Sequence, residues 1–507
     1  MKNFSDFVKN SWALYISVIL LSGALLFLFL AALCKHGWLD EHITIMSALV
    51  PWDVFCQNLS ETDVYPPLHY FIEGIIGRLS HASDGGIRVI YTLSACQFFS
   101  MACFVMLLSC GVAILKKYKN WSAVIIYVAV LCSLPMCDRY CMEARAYMMC
   151  VLILFATFIC ACYAFKRNDK RWWAAYSLSL VLLAYTNYYA LLNGIVLTGV
   201  VFIYAFLFAR HHCVYIVIAS ACALVCFIPW MPYMLNQIGR VSEKWWGTVP
   251  ANTAFEYIVE VCGVPLRGTP WFFFVAAVCM QGYALCCAVV RRESLNAFII
   301  LCGMIAVPCS ALLQVFISLA IDQSIVCSRY CIFPIGIFVF SLSCALCYLP
   351  RFYRKSAAFL CACMALFTCH HFFKTALGNY DIKEQTMALF LLNYTDSQKI
   401  KLYVSDKKLH ATVELLFEAY QFNDAFCLCY AEGLSLENCI IRYGQYKRFL
   451  PKIEDMNLDN LREGDTIFVH DDHMKTFERD MKQLSLAHQV VMKCGPWNKV
   501  TVSASKA

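Results

Sequence analysis

The sequence predicts an α-helical polytopic membrane protein with about eleven spans and a small α/β domain at its C-terminal end. Three observations carry this. Of 507 residues, 61% are hydrophobic and 15% charged, with 37 Phe and 28 Tyr; an ordinary soluble domain is about 45–50% apolar and about 25% charged. Apolar runs of spanning length recur to about residue 373. After Lys374 the composition turns polar and no further run is long enough to cross.

The runs lie near 13–34, 88–115, 121–137, 142–165, 172–187, 189–209, 212–232, 270–290, 296–320, 330–349 and 355–373. The first is about 22 residues long and follows Lys2 and Lys9. A cleaved signal has a shorter apolar core and a small-residue cleavage site, so this run reads as a retained helix. With the N-terminus in the cytosol, alternation places the basic clusters 116–119, 166–171, 210–212, 291–292 and 351–355 on the inner side, as the positive-inside rule requires. The net charge of +7 is thus spent on topology and gives no sign of nucleic-acid binding.

The outer side then receives every unusual segment: the loop 35–87, the connection 137–142, the corner 186–189, the loop 233–269, the connection 321–329 and the tail. A face that gathers carboxylates, prolines and tryptophans is the expected working face. Within the first loop, Asp40–Val50 and Pro66–Leu79 read as interfacial amphipathic helices, with Trp52 and Tyr65 at headgroup depth. Trp245 and Trp246 read the same way.

Residues 1–379 form one expected domain, and 380–507 a second of about 125 residues, outside the membrane. In the latter, Lys401–Ser405 and Asp465–His470 read as strands, and Ala411–Tyr420 and Met474–Leu484 as helices. It shows no catalytic motif. Most of the 31 cysteines sit inside apolar runs as small buried hydrophobes. Cys56, Cys137, Cys141, Cys262 and Cys327 fall in outer segments, either as thiols or as disulfides. No pair has convincing zinc spacing.

The chemistry-bearing residues cluster in four stretches. Asp40 and Glu41, followed by His42, close the first span. They serve there as a helix cap, or as a general base or metal ligand at the mouth of a cavity. Tyr65-Pro66-Pro67 fixes an extended lead into the helix of His69 and Tyr70. Asp138, Arg139, Glu143, Arg145 and Tyr147 stand between two spans, with Glu143 and Tyr147 four apart on one expected helix face. The two arginines either pair with Asp138 and Glu143 or hold a phosphate, which a planar guanidinium suits. Arg329 and Tyr330 precede a late span, and Lys244 is a further candidate phosphate contact.

An acidic pair after the first helix, then Pro-Pro-Leu-x-Tyr, then Glu-Ala-Arg-x-Tyr, then Arg-Tyr, in this order, resembles the membrane glycosyltransferases of the GT-C fold. It is most similar to the branch of protein O-mannosyltransferases and aminoarabinose lipid A transferases (glycosyltransferase family 39). The resemblance covers about residues 13–373, and the family's outer C-terminal domain matches 380–507. It implies inverting transfer of a sugar from a polyprenyl-phosphate carrier to a lipid, protein or glycan acceptor. By its mapping Asp40 is the catalytic base and Glu41 its neighbour. Arg145, Arg329, Tyr65 and Lys244 hold the donor phosphate, and His42, His69, Tyr70, Asp138, Glu143, Tyr147 and Tyr330 line the pocket. A divalent Mg or Mn ion, if one is used, falls to Asp40 and Glu41. Tyr65 stands where the family often has lysine or histidine, so a cation contributed there must come from elsewhere. The rival reading is a multi-span transporter or flippase, which ordinarily shows internal repeats and polar residues at the midplane; no repeat is visible here.

Overall fold

The computed structural model describes residues 2–34, 39–49, 52–62, 64–80, 89–117, 120–241, 253–262, 270–320, 327–380, 400–404, 426–430, 454–457, 460–470, 474–494 and 497–504. They fall into two compact units. The first comprises 1–33, 59–72 and 96–374, the second 34–58, 73–95 and 375–507.

The apolar helices are α1 (Lys2–Cys34), α5 (Val89–Lys117), α6 (Trp121–Leu131), α8 (Tyr147–Arg167), α9 (Lys170–Thr186), α10 (Tyr188–Phe208), α11 (Cys213–Phe227), α14 (Pro270–Val290), α15 (Ser294–Ala320), α16 (Ile335–Ala345) and α17 (Arg351–Tyr380). Shorter helices lie between them: α2 (Leu39–Leu49), α3 (Phe55–Thr62), α4 (Leu68–Ser80), α7 (Pro135–Tyr140), α12 (Met231–Val241) and α13 (Thr253–Cys262). Every expected span therefore has a helix. Eight stretches are long and apolar enough to cross a membrane; α6, α9 and α16 have 11, 17 and 11 residues.

The shortness of α16 follows from its place. All its residues but Cys344 are buried, and it packs against α6, α8, α14 and α15. A helix sheathed by protein need not match the hydrocarbon thickness itself. Around it Tyr127, Phe155, Phe158 and Phe340 interlock, with centroids 5.5–6.4 Å apart. Between membrane helices such packing, rather than water exclusion, supplies the attraction. Gly303 lets α15 meet α16 closely: a Cβ there would fall 2.0 Å from Ser341 Cβ. The Ser341 hydroxyl donates to Ile300 O at 3.1 Å and accepts from Gln281 Nε2 at 3.1 Å, tying α14 to the same point.

The helix ends are locally encoded. Asn168 closes α8 in the left-handed region, and the Asp169 side chain caps α9 by accepting from Arg171 N at 2.9 Å. Asn187 caps α10, accepting from Tyr189 N and Ala190 N. At the end of α14 the N–H of Glu293 reaches Ala288 O and that of Arg292 reaches Val289 O, with Arg292 at φ 59°. This is a Schellman closure, whose left-handed position glycine usually fills; an arginine there costs roughly 1 kcal/mol.

In the second unit, α2 and α4 are pinned together. Arg78 donates to Ala48 O at 3.2 Å and Leu49 O at 3.3 Å, satisfying the carboxyl end of α2, and its guanidinium lies 4.0 Å from the Trp52 ring centroid. The tail forms a mixed sheet of β1 (Ile400–Val404), β2 (Phe426–Tyr430), β3 (Glu454–Asn457), β4 (Thr466–His470), β5 (Leu486–Cys494) and β6 (Trp497–Ala504), in the order β3-β2-β1-β4-β6-β5. The first four are parallel and the last two antiparallel. Helix α18 (Met474–Gln483) packs Phe477 and Met481 onto Tyr403, Ile467, Val469, Val500 and Val502. Strands β1 and β4 and helix α18 fall within a residue or two of the expected Lys401–Ser405, Asp465–His470 and Met474–Leu484; Ser405 and Ala411–Tyr420 lie outside the described residues.

Candidate functional site

The first unit gathers five expected residues with two others into one cluster. The Tyr65 hydroxyl meets that of Tyr330 at 2.5 Å, and both side chains are buried. Tyr330 in turn lies flat on Tyr189, with centroids 4.1 Å apart and planes at 6°. The Arg145 guanidinium is 5.0 Å from the Tyr65 ring centroid and 5.8 Å from that of Tyr147. Arg329 reaches the Tyr147 hydroxyl at 3.5 Å and lies 5.6 Å from the Tyr330 ring. Tyr140 packs on Tyr147 at 4.6 Å. Two guanidiniums thus converge on Tyr147 among phenol groups. Burial pushes the Tyr65 phenol well above its ordinary range, so it stays a neutral donor.

Three elements hold this arrangement. The Tyr65 carbonyl accepts from Gln237 Nε2 of α12 at 3.1 Å, and Gln237 Oε1 accepts from Tyr188 at the start of α10. Trp230 Nε1 donates to the Tyr188 hydroxyl at 2.9 Å, fixing the corner. Residues 141–146 wind through turns after α7, with the Arg145 N–H bonded to Glu143 O at 2.7 Å. His69, in the first turn of α4, is buried beside Tyr70 and Phe99 and shares a hydrogen bond with the Arg145 backbone. Burial, and then the Arg145 charge, lower its pKa to about 3, so the imidazole is neutral at physiological pH.

Several expectations need correction. Glu143 and Tyr147 do not share a helix face, because α8 begins only at Tyr147; the turns bring the Arg145 guanidinium over the Tyr147 ring. The carboxylate pairing is selective: Arg139 Nε bonds Glu143 Oε1 at 2.8 Å, whereas both Asp138 carboxyl oxygens are buried without a hydrogen-bond partner among the described residues. Burial drives the Asp138 carboxyl well above its ordinary range. Tyr65 is no exposed interfacial anchor: its ring is buried against Arg145 and Tyr330, whereas Trp52 is exposed.

Asp40, Glu41 and His42 lie on the first turn of α2 in the second unit. Glu41 is buried, and the side chains of Asp40 and His42, like all of Lys244, Trp245 and Trp246, lie outside the described residues. Among the described residues, Cys56, Cys137, Cys262 and Cys327 are free thiols, and the Cys141 thiol donates to Asp138 O at 3.3 Å. Tyr189, Tyr140 and Gln237 were not anticipated. The capping Asn187 before two tyrosines was the available signal for Tyr189; a lone glutamine in an amphipathic stretch gave none for Gln237.

The bundle of apolar helices with an α/β tail has the GT-C fold. The crystal structure of ArnT from Cupriavidus metallidurans in the apo state matches it with a TM-score of 0.60 at 10% identity, over 96% of this chain and 98% of that one. That of ArnT from the same organism bound to undecaprenyl phosphate matches with a TM-score of 0.49 at 12% identity, over the same shares. No family model matches the sequence, and no curated protein matches it either.

Proposed function

We propose that the chain is an inverting glycosyltransferase that moves one sugar from a polyprenyl-phosphate donor to a lipid, protein or glycan acceptor at the outer face of the cytoplasmic membrane. The observation that carries this reading is the convergence of Arg145 and Arg329 on Tyr147 within a GT-C fold. Two guanidiniums placed among neutral phenols suit an anion whose charge grows during reaction. On this reading residues 1–379 are the catalytic membrane domain with a cytosolic N-terminus, and 380–507 lie outside.

Asp40 takes the proton from an acceptor hydroxyl or amine as that group attacks the anomeric carbon. The bond from that carbon to the phosphate oxygen breaks, and its electron pair leaves with the polyprenyl phosphate. Arg145 and Arg329, with Lys244, hold the charge so released, and Tyr65 donates a hydrogen bond without adding charge. Glu41, His42, His69, Tyr70, Asp138, Glu143, Tyr147 and Tyr330 shape the pocket. A Mg²⁺ or Mn²⁺ ion, if bound, falls to Asp40 and Glu41; none of these steps passes through it.

The test compares lipid extracts, by mass spectrometry, from cells making the native protein, Asp40→Asn or Arg329→Gln at equal level. A polyprenyl-phosphate sugar accumulates in both variants while one envelope component loses that sugar. Unchanged profiles in both would refute the transfer reaction and return the chain to the transporter class.

A further inference from the structure

Helix α8, of 21 residues, carries Tyr147 at one end and Arg167 at the other, about 30 Å apart. At that far end the helices enclose a cavity of about 430 Å³ with no part in the transfer chemistry. Its shaft is apolar, lined by Ile159, Ile299, Ile300 and Phe340. From Phe340 on α16 to Tyr348, in the 3₁₀ turn that follows that helix, it runs about 12–14 Å, most of the ~15 Å of one hydrocarbon leaflet.

The rim is cationic, and the cations come from separate helices. Lys117 ends α5, Lys166 and Arg167 end α8, and Arg291 follows α14. Lys117 Nζ lies 3.3 Å from the Tyr163 hydroxyl, while the Arg167 guanidinium sits 5.3 Å from the centroid of that same ring. Two like charges drawn to one side chain repel unless an anion stands between them. The carboxylate of the lining, Glu293, is engaged by the Tyr348 hydroxyl, by Asn296 Nδ2 and by the charge of Arg291.

Glu293 also borders a second groove of about 720 Å³ between α10, α14 and α15. It is lined by Ile203, Leu207, Val289 and Leu301, all exposed, with Arg292 at its head. The left-handed turn at Arg292 sends two consecutive arginines to two neighbouring cavities. A glycine would relieve the strain but remove the guanidinium.

We propose that this end of the bundle binds an anionic glycerophospholipid. Its phosphate sits at the rim among Lys117, Arg167 and Arg291, and its acyl chains occupy the shaft and the groove headed by Arg292. A cationic mouth above an apolar shaft matches that amphiphile and no fully soluble anion. The inference requires nothing of the sugar-transfer reading.

Native mass spectrometry of the full-length protein, offered equal amounts of dioleoyl phosphatidylglycerol and dioleoyl phosphatidylcholine, tests it. The native protein is expected to retain the anionic lipid about tenfold better, and Lys117→Gln/Arg167→Gln to abolish the preference. Arg292→Gly guards against misfolding, since it relaxes a strained turn and should still lower retention. Arg351→Gln/Lys355→Gln, at the same end but off the cavity rim, should leave it unchanged. Equal retention of the two lipids, native-like retention in either pocket variant, or an equal fall in the Arg351/Lys355 variant overturns the proposal. So does displacement of the lipid by millimolar inorganic phosphate, which would mark a site for soluble phosphate.

Discussion

The Tyr65–Tyr330 contact can be separated into what it does for folding and what it does for function by a double-mutant cycle. Tyr65→Phe or Tyr330→Phe alone leaves one buried hydroxyl facing a hydrocarbon ring, at a cost of about 1–3 kcal/mol. The stacking of residue 330 on Tyr189 survives either change, because a phenyl ring packs as a phenol does. The double variant removes both polar groups together and should recover most of the loss, giving a coupling of about 1–2 kcal/mol. Unfolding entropy runs near 2 cal/mol/K per residue, so 1 kcal/mol moves the melting point of so long a chain by only about 1 °C. Equilibrium unfolding in mixed detergent is therefore the assay. If the hydroxyls also steady the donor phosphate, transfer activity falls in the double variant while stability recovers. Losses that simply add would refute the buried pair; recovery of stability and activity together would make it only a fastener.

Two further perturbations have a clear sign. His69 is held neutral, with a folded pKa of about 3 against 6.5 unfolded, so its contribution is complete above pH 6.5 and is lost as pH falls, by about 1.4 kcal/mol per unit. His69→Phe should flatten the stability curve between pH 6.5 and 4.5 relative to the native protein; parallel curves would show that the ring is not desolvated. Gly303→Ala forces a methyl onto Ser341 and should destabilise by about 1–3 kcal/mol, whereas Gly303→Ala combined with Ser341→Gly should recover much of that. Failure of the second change to rescue the first would place the clash elsewhere.

Much of this was legible from the sequence because apolar helices write themselves plainly: a helix lies at each apolar run, and eight stretches are long and apolar enough to cross a membrane. The lengths of α6 and α16 were not legible, since burial inside the bundle looks the same in composition as burial in lipid. The site was read in halves. Tyr65, Arg145, Tyr147, Arg329 and Tyr330 stood out as polar groups at span ends, and they meet. Their geometry depends on the turns at 141–146, where a helical spacing argument failed because nothing in the segment caps a helix before Tyr147. Tyr189 and Gln237 reach the cluster only through tertiary packing, which leaves no local pattern. In the tail, strands and α18 followed from alternation, but the order of the sheet did not, because pairing partners lie up to about 65 residues apart.

That order has a consequence for biogenesis. Strand β1 is the earliest part of the sheet to be synthesised, yet both of its neighbours, β2 and β4, come later. The other side of β4 is covered only by β6, the last strand to be made. Until residues 497–504 leave the ribosome, β4 presents an open ladder of unpaired amides, the kind of edge that recruits foreign strands. The tail is thus a domain that cannot be finished one segment at a time. A premature stop that removes only β6 would do more than shorten the protein: it would leave a ready template for aggregation attached to an otherwise complete set of membrane helices.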